Sequence, residues 1–136
     1  MRVDGRCHCG RVTFEAEVDP ATAGICHCTD CQTLSGSAYR VSVRTLAEDF
    51  RIDGVVSTYV KAADSGNKRA HAFCPNCGTP VYATQPETPT SYTLRVGTLR
   101  QRAELPPQRQ IWCESAMPWS SDLRGVAKLD AKILQR

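Results

Sequence analysis

Apolar and polar positions alternate along much of the chain. Val12, Phe14, Ala16 and Val18 are separated by Thr13, Glu15 and Glu17, the period of two that sets one face of a strand against a core. Tyr39, Val41 and Val43 repeat the pattern. Phe50 and Ile52 run into Asp53-Gly54, a hairpin signal, which makes residues 55–61 the expected return strand. Residues 70–74, 80–84, 92–96 and 111–113 read as further short strands. A helical period is scarce. A short helix is expected between Cys28 and Ser35, with Thr29 as N-cap and Gly36 ending it, and another over residues 126–134. Residues 85–90 and 104–110 are polar and carry proline, so they read as loops. Short strands with turns about every ten residues predict a mainly β domain.

With 136 residues the chain is expected to form one domain, residues 1–136. Its apolar fraction of 41% and charged fraction of 23% argue against wholesale disorder. Lys and Arg number 17 and Asp and Glu 14, for a net charge of +3. That surplus is too small to argue for nucleic acid, and scattered basic residues with only 7% aromatics lack the stripe such a surface uses. No apolar run approaches the roughly 18 residues a membrane helix needs, and Met1 to Gly10 lack a signal-peptide core. The expectation is a cytoplasmic protein with neither nucleic-acid nor membrane partners.

Eight cysteines change the picture: Cys7, Cys9, Cys26, Cys28, Cys31, Cys74, Cys77 and Cys113. In a reducing compartment they favour metal over disulfides. Cys28/Cys31 and Cys74/Cys77 have the C-x-x-C spacing, and Cys7/Cys9 and Cys26/Cys28 are C-x-C pairs. A tetrahedral zinc holds each thiolate at about 2.3 Å, so its sulfurs lie about 4 Å apart, within reach of a tight turn. Gly78 stands where that turn calls for a positive φ, and Pro75 fixes one corner. Seven cysteines divide most simply into two pairs closing a four-sulfur site and the triplet Cys26, Cys28, Cys31. Three ligands with an open position is the pattern of catalytic zinc. The alternative is a fourth protein ligand for the triplet, from Cys113, His27 or His71.

The ordered motifs resemble a known family. They run Gly5-x-Cys7-x-Cys9-Gly10-x-Val12-x-Phe14, Cys26-His27-Cys28-x-x-Cys31, Ser35-Gly36-Ser37-Ala38 and Phe73-Cys74-x-x-Cys77-Gly78-Thr79-Pro80-Val81-Tyr82. Val96-Gly97-Thr98-Leu99, Ile111-Trp112 and Pro118-Trp119 follow. The series is similar to the glutathione-dependent formaldehyde-activating enzyme family, also called the GFA or centromere-protein-V domain. The resemblance implies several small antiparallel β-sheets organised around zinc, a fold shared with a Rab-exchange-factor family. It implies two zinc ions, Cys7, Cys9, Cys74 and Cys77 holding the structural one and Cys26, Cys28 and Cys31 the catalytic one. It further implies a carbon–sulfur lyase-type activity that adds glutathione, or a similar small thiol, to formaldehyde or another aldehyde, or the reverse. Where the family often has an acidic residue after Gly-Thr-Leu, this chain has Arg100-Gln101-Arg102, a loop expected near the second zinc.

Zinc lowers the pKa of a thiol it binds, and the thiolate is the attacking form. Three cysteine thiolates with one Zn²⁺ carry a net charge of −1, so thiol binding ranks above water activation. Lys68, Arg69, Arg40 and Arg100 are candidates to balance charge or meet glutathione carboxylates; none is assigned a catalytic role. His27, between two ligands, is expected to point away from the metal, and His71 to be packed or solvated. Cys113 reads as a buried inert thiol, Trp112 and Trp119 as core, and residues 35–37 as a turn. The competing reading is a zinc-stabilised protein-interaction module without catalysis, which a fourth protein ligand on the triplet would favour.

Overall fold

In the computed structural model, which describes residues 1–63 and 65–134, eight strands share one hydrogen-bonded sheet. They are β1 (Arg2–Arg6), β2 (Thr13–Cys26), β3 (Arg40–Asp53), β4 (Ser57–Ala62), β5 (Lys68–Phe73), β6 (Pro80–Thr84), β7 (Ser91–Arg95) and β8 (Arg109–Ile111). The order is β1-β2-β3-β7-β6-β5-β4, antiparallel throughout, with β8 added parallel to β2. The expected mainly β antiparallel architecture is present. The expected division into several small sheets is not, because β3 pairs with β2 along its length and with β7 over residues 42–46, joining both sets of strands. No helix among the described residues is long and apolar enough to cross a membrane.

The alternation of the sequence sorts the two faces. Val43, Leu94, Tyr82 and Ala72 lie side by side across β3, β7, β6 and β5. Val43 and Leu94 join the core around Val3, Val12, Phe14, Val18, Leu99 and Leu105, with Phe50, Tyr82 and Tyr92 packed against it. One position along, Arg44, Thr93, Ala83 and His71 form the neighbouring row, which the pleat turns to the opposite face.

One hairpin expectation and one strand boundary are corrected. Asp53-Gly54 does not fold β4 back on β3: β4 pairs with β5 at the far edge of the sheet. Gly54 is needed for another reason. Its φ is +97°, and a Cβ there would collide with the carbonyl oxygen of Arg11, with the Arg11 carbonyl carbon and Val12 Cα only 3.2 Å away. Strand β2 also continues beyond Val18, through register shifts at residues 16–18 and 19–24, so the polar stretch Asp19-Pro20-Ala21-Thr22 interrupts the pattern without ending the strand. The helix α1 (Thr29–Ser35) forms as expected, with Gly36 as C-cap at φ +62°, but its N-cap is Cys28 rather than Thr29, because the Cys28 sulfur accepts the Cys31 N–H. The last expected helix is reduced to a 3-10 turn over Ala131–Leu134.

Candidate metal centre and arginine cavity

The two cysteine groups expected from spacing come together. Sγ atoms of Cys7, Cys9, Cys74 and Cys77 lie within 4.8 Å of one another, and so do those of Cys26, Cys28 and Cys31. In the first group Cys7 and Cys9 follow β1, and Cys74 and Cys77 follow β5. These strands are five places apart in the sheet, about 24 Å if it were flat. The Cys9 and Cys74 sulfurs are nevertheless 3.7 Å apart, so the sheet curls until the two loops meet. The Cys7 and Cys9 sulfurs are 3.6 Å apart. Both distances match the edge of a tetrahedron with zinc–sulfur arms of about 2.3 Å.

Each loop of the first group is closed by its own backbone. The Gly10 N–H donates to the Cys7 carbonyl (3.1 Å) and the Gly78 N–H to the Cys74 carbonyl (2.8 Å). Gly78 adopts φ +78°, the left-handed conformation expected of it. The Val12 N–H donates to Cys7 Sγ at 3.3 Å. Cys7 and Cys74 are buried in the core itself. Thr79 Oγ1 accepts the His8 N–H (3.0 Å) and lies 3.2 Å from Cys77 Sγ. The Thr79 hydroxyl is the main reason the Cys77 thiol is pushed down to about 5, so this sulfur is a thiolate at neutral pH.

The triplet is local. Cys26 ends β2, and Cys28 and Cys31 sit at the start of α1. The Cys31 N–H donates to Cys28 Sγ at 3.2 Å. Gln32 Nε2 donates to the His27 carbonyl (2.8 Å) and to the Ser115 carbonyl (2.9 Å). Lys61 Nζ on β4 pairs with Asp30 at 2.5 Å. These bonds hold α1 against its surroundings. Burial, then hydrogen bonds with Cys28 and Cys26, pushes the Cys31 thiol up to about 12. A metal binding there must displace its proton.

None of the candidates for a fourth ligand joins the triplet among the described residues. His27 points away as expected: its Nε2 is 2.8 Å from Gln110 Oε1 and its ring packs edge-on against Tyr39. Cys113 is exposed rather than buried, and Trp112 and Trp119 are 56% and 59% exposed rather than core. The reason is that the chain after β8 runs through 3-10 and other turns outside the sheet, and Trp112 takes a left-handed conformation at φ +59°. The turn at residues 35–37 offers no free N–H beside the triplet at Gly36 or Ser37, since these donate to Thr33 and Gln32 carbonyls.

Cys26 and Cys31 open onto a cavity of about 590 Å³, whose lining includes Arg40, Arg44, Arg69, Arg95 and Arg109 and no aspartate or glutamate. Sheet register assembles it: Cys26 lies opposite Arg40, and Ser42 opposite both Gly24 and Arg95. Arg40 and Arg95 are only 7% and 8% exposed. Neither forms an ion pair with a described residue. Arg95 donates from Nη1 to Ser42 Oγ (3.0 Å) and from Nη2 to His71 Nδ1 (3.3 Å), while its Nε is buried without a partner. Burial, then repulsion from Arg40, pushes Arg95 down to about 9. Burial and the same arginines push His71 down to about 4, so its ring is neutral at pH 7 and, with Nδ1 accepting, carries its proton on Nε2.

Of the four cations singled out in the sequence, Arg40 and Arg69 reach this cavity. Arg100 does not. It is paired with Asp4, Nη2 to Oδ1 at 2.8 Å, beside a separate cavity, and the expected closeness of its loop to the triplet is not observed. Arg44, Arg95 and Arg109 were not anticipated. The available signal is alternation: Arg40, Ser42 and Arg44 share one strand face, as do Arg69 and His71, and Thr93 and Arg95.

Comparison with known proteins places the chain among relatives. A Halomonas elongata protein named "Putative glutathione-dependent formaldehyde-activating enzyme" is 23% identical over 125 residues, which is 88% of this chain and 80% of that protein. A crystal structure of a Rhodobacter sphaeroides protein shares the fold, with TM-score 0.61 and 24% identity over 79% of this chain and 98% of the other. The sequence model of the glutathione-dependent formaldehyde-activating enzyme family matches residues 2–115, both cysteine groups included, and the chain belongs to that family.

Proposed function

We propose that the protein forms and cleaves the carbon–sulfur bond between a small thiol such as glutathione and formaldehyde or another aldehyde, in one domain spanning residues 1–136. In this reading Cys7, Cys9, Cys74 and Cys77 hold a structural zinc, and Cys26, Cys28 and Cys31 a second, catalytic zinc. The observation that carries it is a three-sulfur group that lacks a fourth protein donor among the described residues and faces a cavity large enough for a peptide-sized thiol. The same observation disfavours a purely structural interaction module, whose metals would be closed by protein ligands.

A zinc held by Cys26, Cys28 and Cys31 would act as a Lewis acid toward a substrate thiol and lower its pKa, so that the thiol would be ionised at neutral pH. The chain supplies position and charge. Arg40 and Arg95 share the cavity with Cys26 and Cys31 and would offset their charge, and α1, held through Gln32, fixes where Cys28 and Cys31 point. In the forward direction sulfur bonds to the carbonyl carbon, the carbon–oxygen π bond opens, and the thiol proton ends on oxygen. No electron is gained or lost, and positioning is the principal source of rate.

The test is the rate of hemithioacetal exchange, followed by NMR with isotopically labelled formaldehyde and glutathione. Zinc-loaded protein should accelerate it, and Cys28→Ser should abolish the acceleration while far-UV circular dichroism is retained. An unaccelerated exchange across a panel of thiols and aldehydes, with both metals present, rejects the proposal.

A further inference from the structure

We propose that the arginine cavity favours thiol substrates carrying two or more negative charges and, among these, binds those whose amine is acylated or absent more tightly than those with a free ammonium group. This deepens the thiol–aldehyde reading and rests on it. Three observations support the inference. First, Arg40 and Arg95 are more than nine-tenths buried, lack ion-pair partners among the described residues, and face the cavity that holds Cys26 and Cys31. Buried guanidiniums are ordinarily paired, and Arg95 keeps an unused, fully enclosed Nε–H.

Second, charge is unbalanced in a particular direction. Three thiolates with a divalent ion carry −1, and a substrate thiolate brings the centre to −2. Against five lining arginines this leaves a surplus of three positive charges. One further carboxylate does not neutralise it, whereas a dicarboxylate or a phosphate-bearing thiol comes close.

Third, the lining offers nothing anionic to an ammonium group. Its neutral polar side chains are those of Thr22, Ser42, Gln85, Ser91, Thr93 and the uncharged His71. Glutathione brings two carboxylates but also an α-ammonium, which would lie among arginines. Removing that positive charge should therefore strengthen binding.

The experiment uses thioethers, which cannot form a thiolate, so that it reads the cavity rather than the metal. Binding to the zinc-loaded full chain is measured calorimetrically at neutral pH and low salt for S-methylglutathione, its N-acetyl derivative, methylthiosuccinate and 2-(methylthio)ethanol. Methylthiosuccinate should bind at least about tenfold more tightly than the neutral thioether, the scale of one charge-assisted hydrogen bond. N-acetylation should tighten binding about threefold or more, on the scale of a partly screened charge. Both preferences should shrink in Arg40→Gln and in the less buried Arg69→Gln, the second guarding against a folding defect in the first. Equal binding of all four thioethers, or tighter binding of S-methylglutathione than of its acetylated form, overturns the proposal. Neither outcome bears on whether free thiols react, which the exchange assay above decides separately.

Discussion

Replacing Gly54 with alanine separates two costs that a positive-φ glycine can hide. Gly36 and Gly54 both lie in the left-handed half of backbone space, at φ +62° and +97°. A Cβ on Gly36 meets nothing within 4 Å, whereas one on Gly54 strikes the Arg11 carbonyl oxygen. Gly36→Ala should therefore show only the conformational penalty, about 1–2 kcal/mol. Gly54→Ala adds an overpacking cost of about 1–3 kcal/mol, since the obstacle is backbone and cannot rotate aside. For a chain of this size each kcal/mol moves Tm by about 3–5 °C, so Gly54→Ala should melt roughly 3–15 °C below Gly36→Ala. The displaced residues also matter to the first cysteine group: Val12 donates its N–H to Cys7 Sγ, and its carbonyl accepts the Cys7 N–H at 3.0 Å. Gly54→Ala should thus release metal from that group faster to a chelator, and Gly36→Ala should not. Thermal melts at fixed free zinc, with a colorimetric chelator assay alongside, measure both. Equal melting temperatures for the two variants would refute the close approach of residue 54 to residues 11 and 12.

The two cysteine groups should respond differently to a lost ligand: Cys77→Ser is expected to lower metal content and Tm together, while Cys28→Ser loses one metal with a smaller fall in Tm, as metal analysis and calorimetry will report. Metal affinity at the triplet should strengthen as pH rises across the neutral range, because Cys31, held near 12 by burial, keeps a proton there that the ion must displace; a pH-independent dissociation constant in competition titrations contradicts this. His71 has its folded pKa near 4, below its ordinary value of 6.5. Its stabilising effect is full above about pH 6.5 and is lost as pH falls toward 4, so His71→Asn should flatten that limb of the stability profile measured by urea unfolding. Lys61→Met should leave Tm nearly unchanged, since its partner Asp30 is more than half exposed; a large drop in the melt would show that the pair anchors α1 energetically.

Local chemistry was legible and long-range adjacency was not. Cysteine spacing marked the two pairs and the triplet, because each turn is short enough to be dictated by neighbouring residues, and ligand counting rather than local geometry joined the distant pairs. The alternation at residues 12–18 marked β2, and Gly36 marked the end of α1. The hairpin at Asp53-Gly54 misled because a turn signal says that the chain bends, not which strand it meets next. The arginine cavity was hidden for a related reason. Its members come from β3, β5, β7 and β8, and only the sheet order makes them neighbours. The missed N-cap reflects an unusual acceptor, a sulfur in place of the hydroxyl of Thr29. Trp112 and Trp119 were misplaced because aromatic residues ordinarily stay inside, and nothing in their sequence context shows that the chain leaves the sheet after β8.

The separation in sequence between the two halves of the first cysteine group has a consequence for synthesis on the ribosome. Cys9 and Cys74 are 65 residues apart, about 3–13 s of elongation at roughly 5–20 residues per second. During that interval Cys7 and Cys9 have left the ribosome without their partners, and the curled sheet that will bring them together does not yet exist. Cys26, Cys28 and Cys31 lie within one short stretch and can gather as soon as they emerge. If both groups hold metal as proposed, the newborn chain would fill them in the reverse order of their depth in the finished fold: the triplet first, the core-embedded group last. Metal starvation during translation would strike at the clasp between distant strands, leaving a nascent protein whose reactive thiols are exposed before its sheet can close.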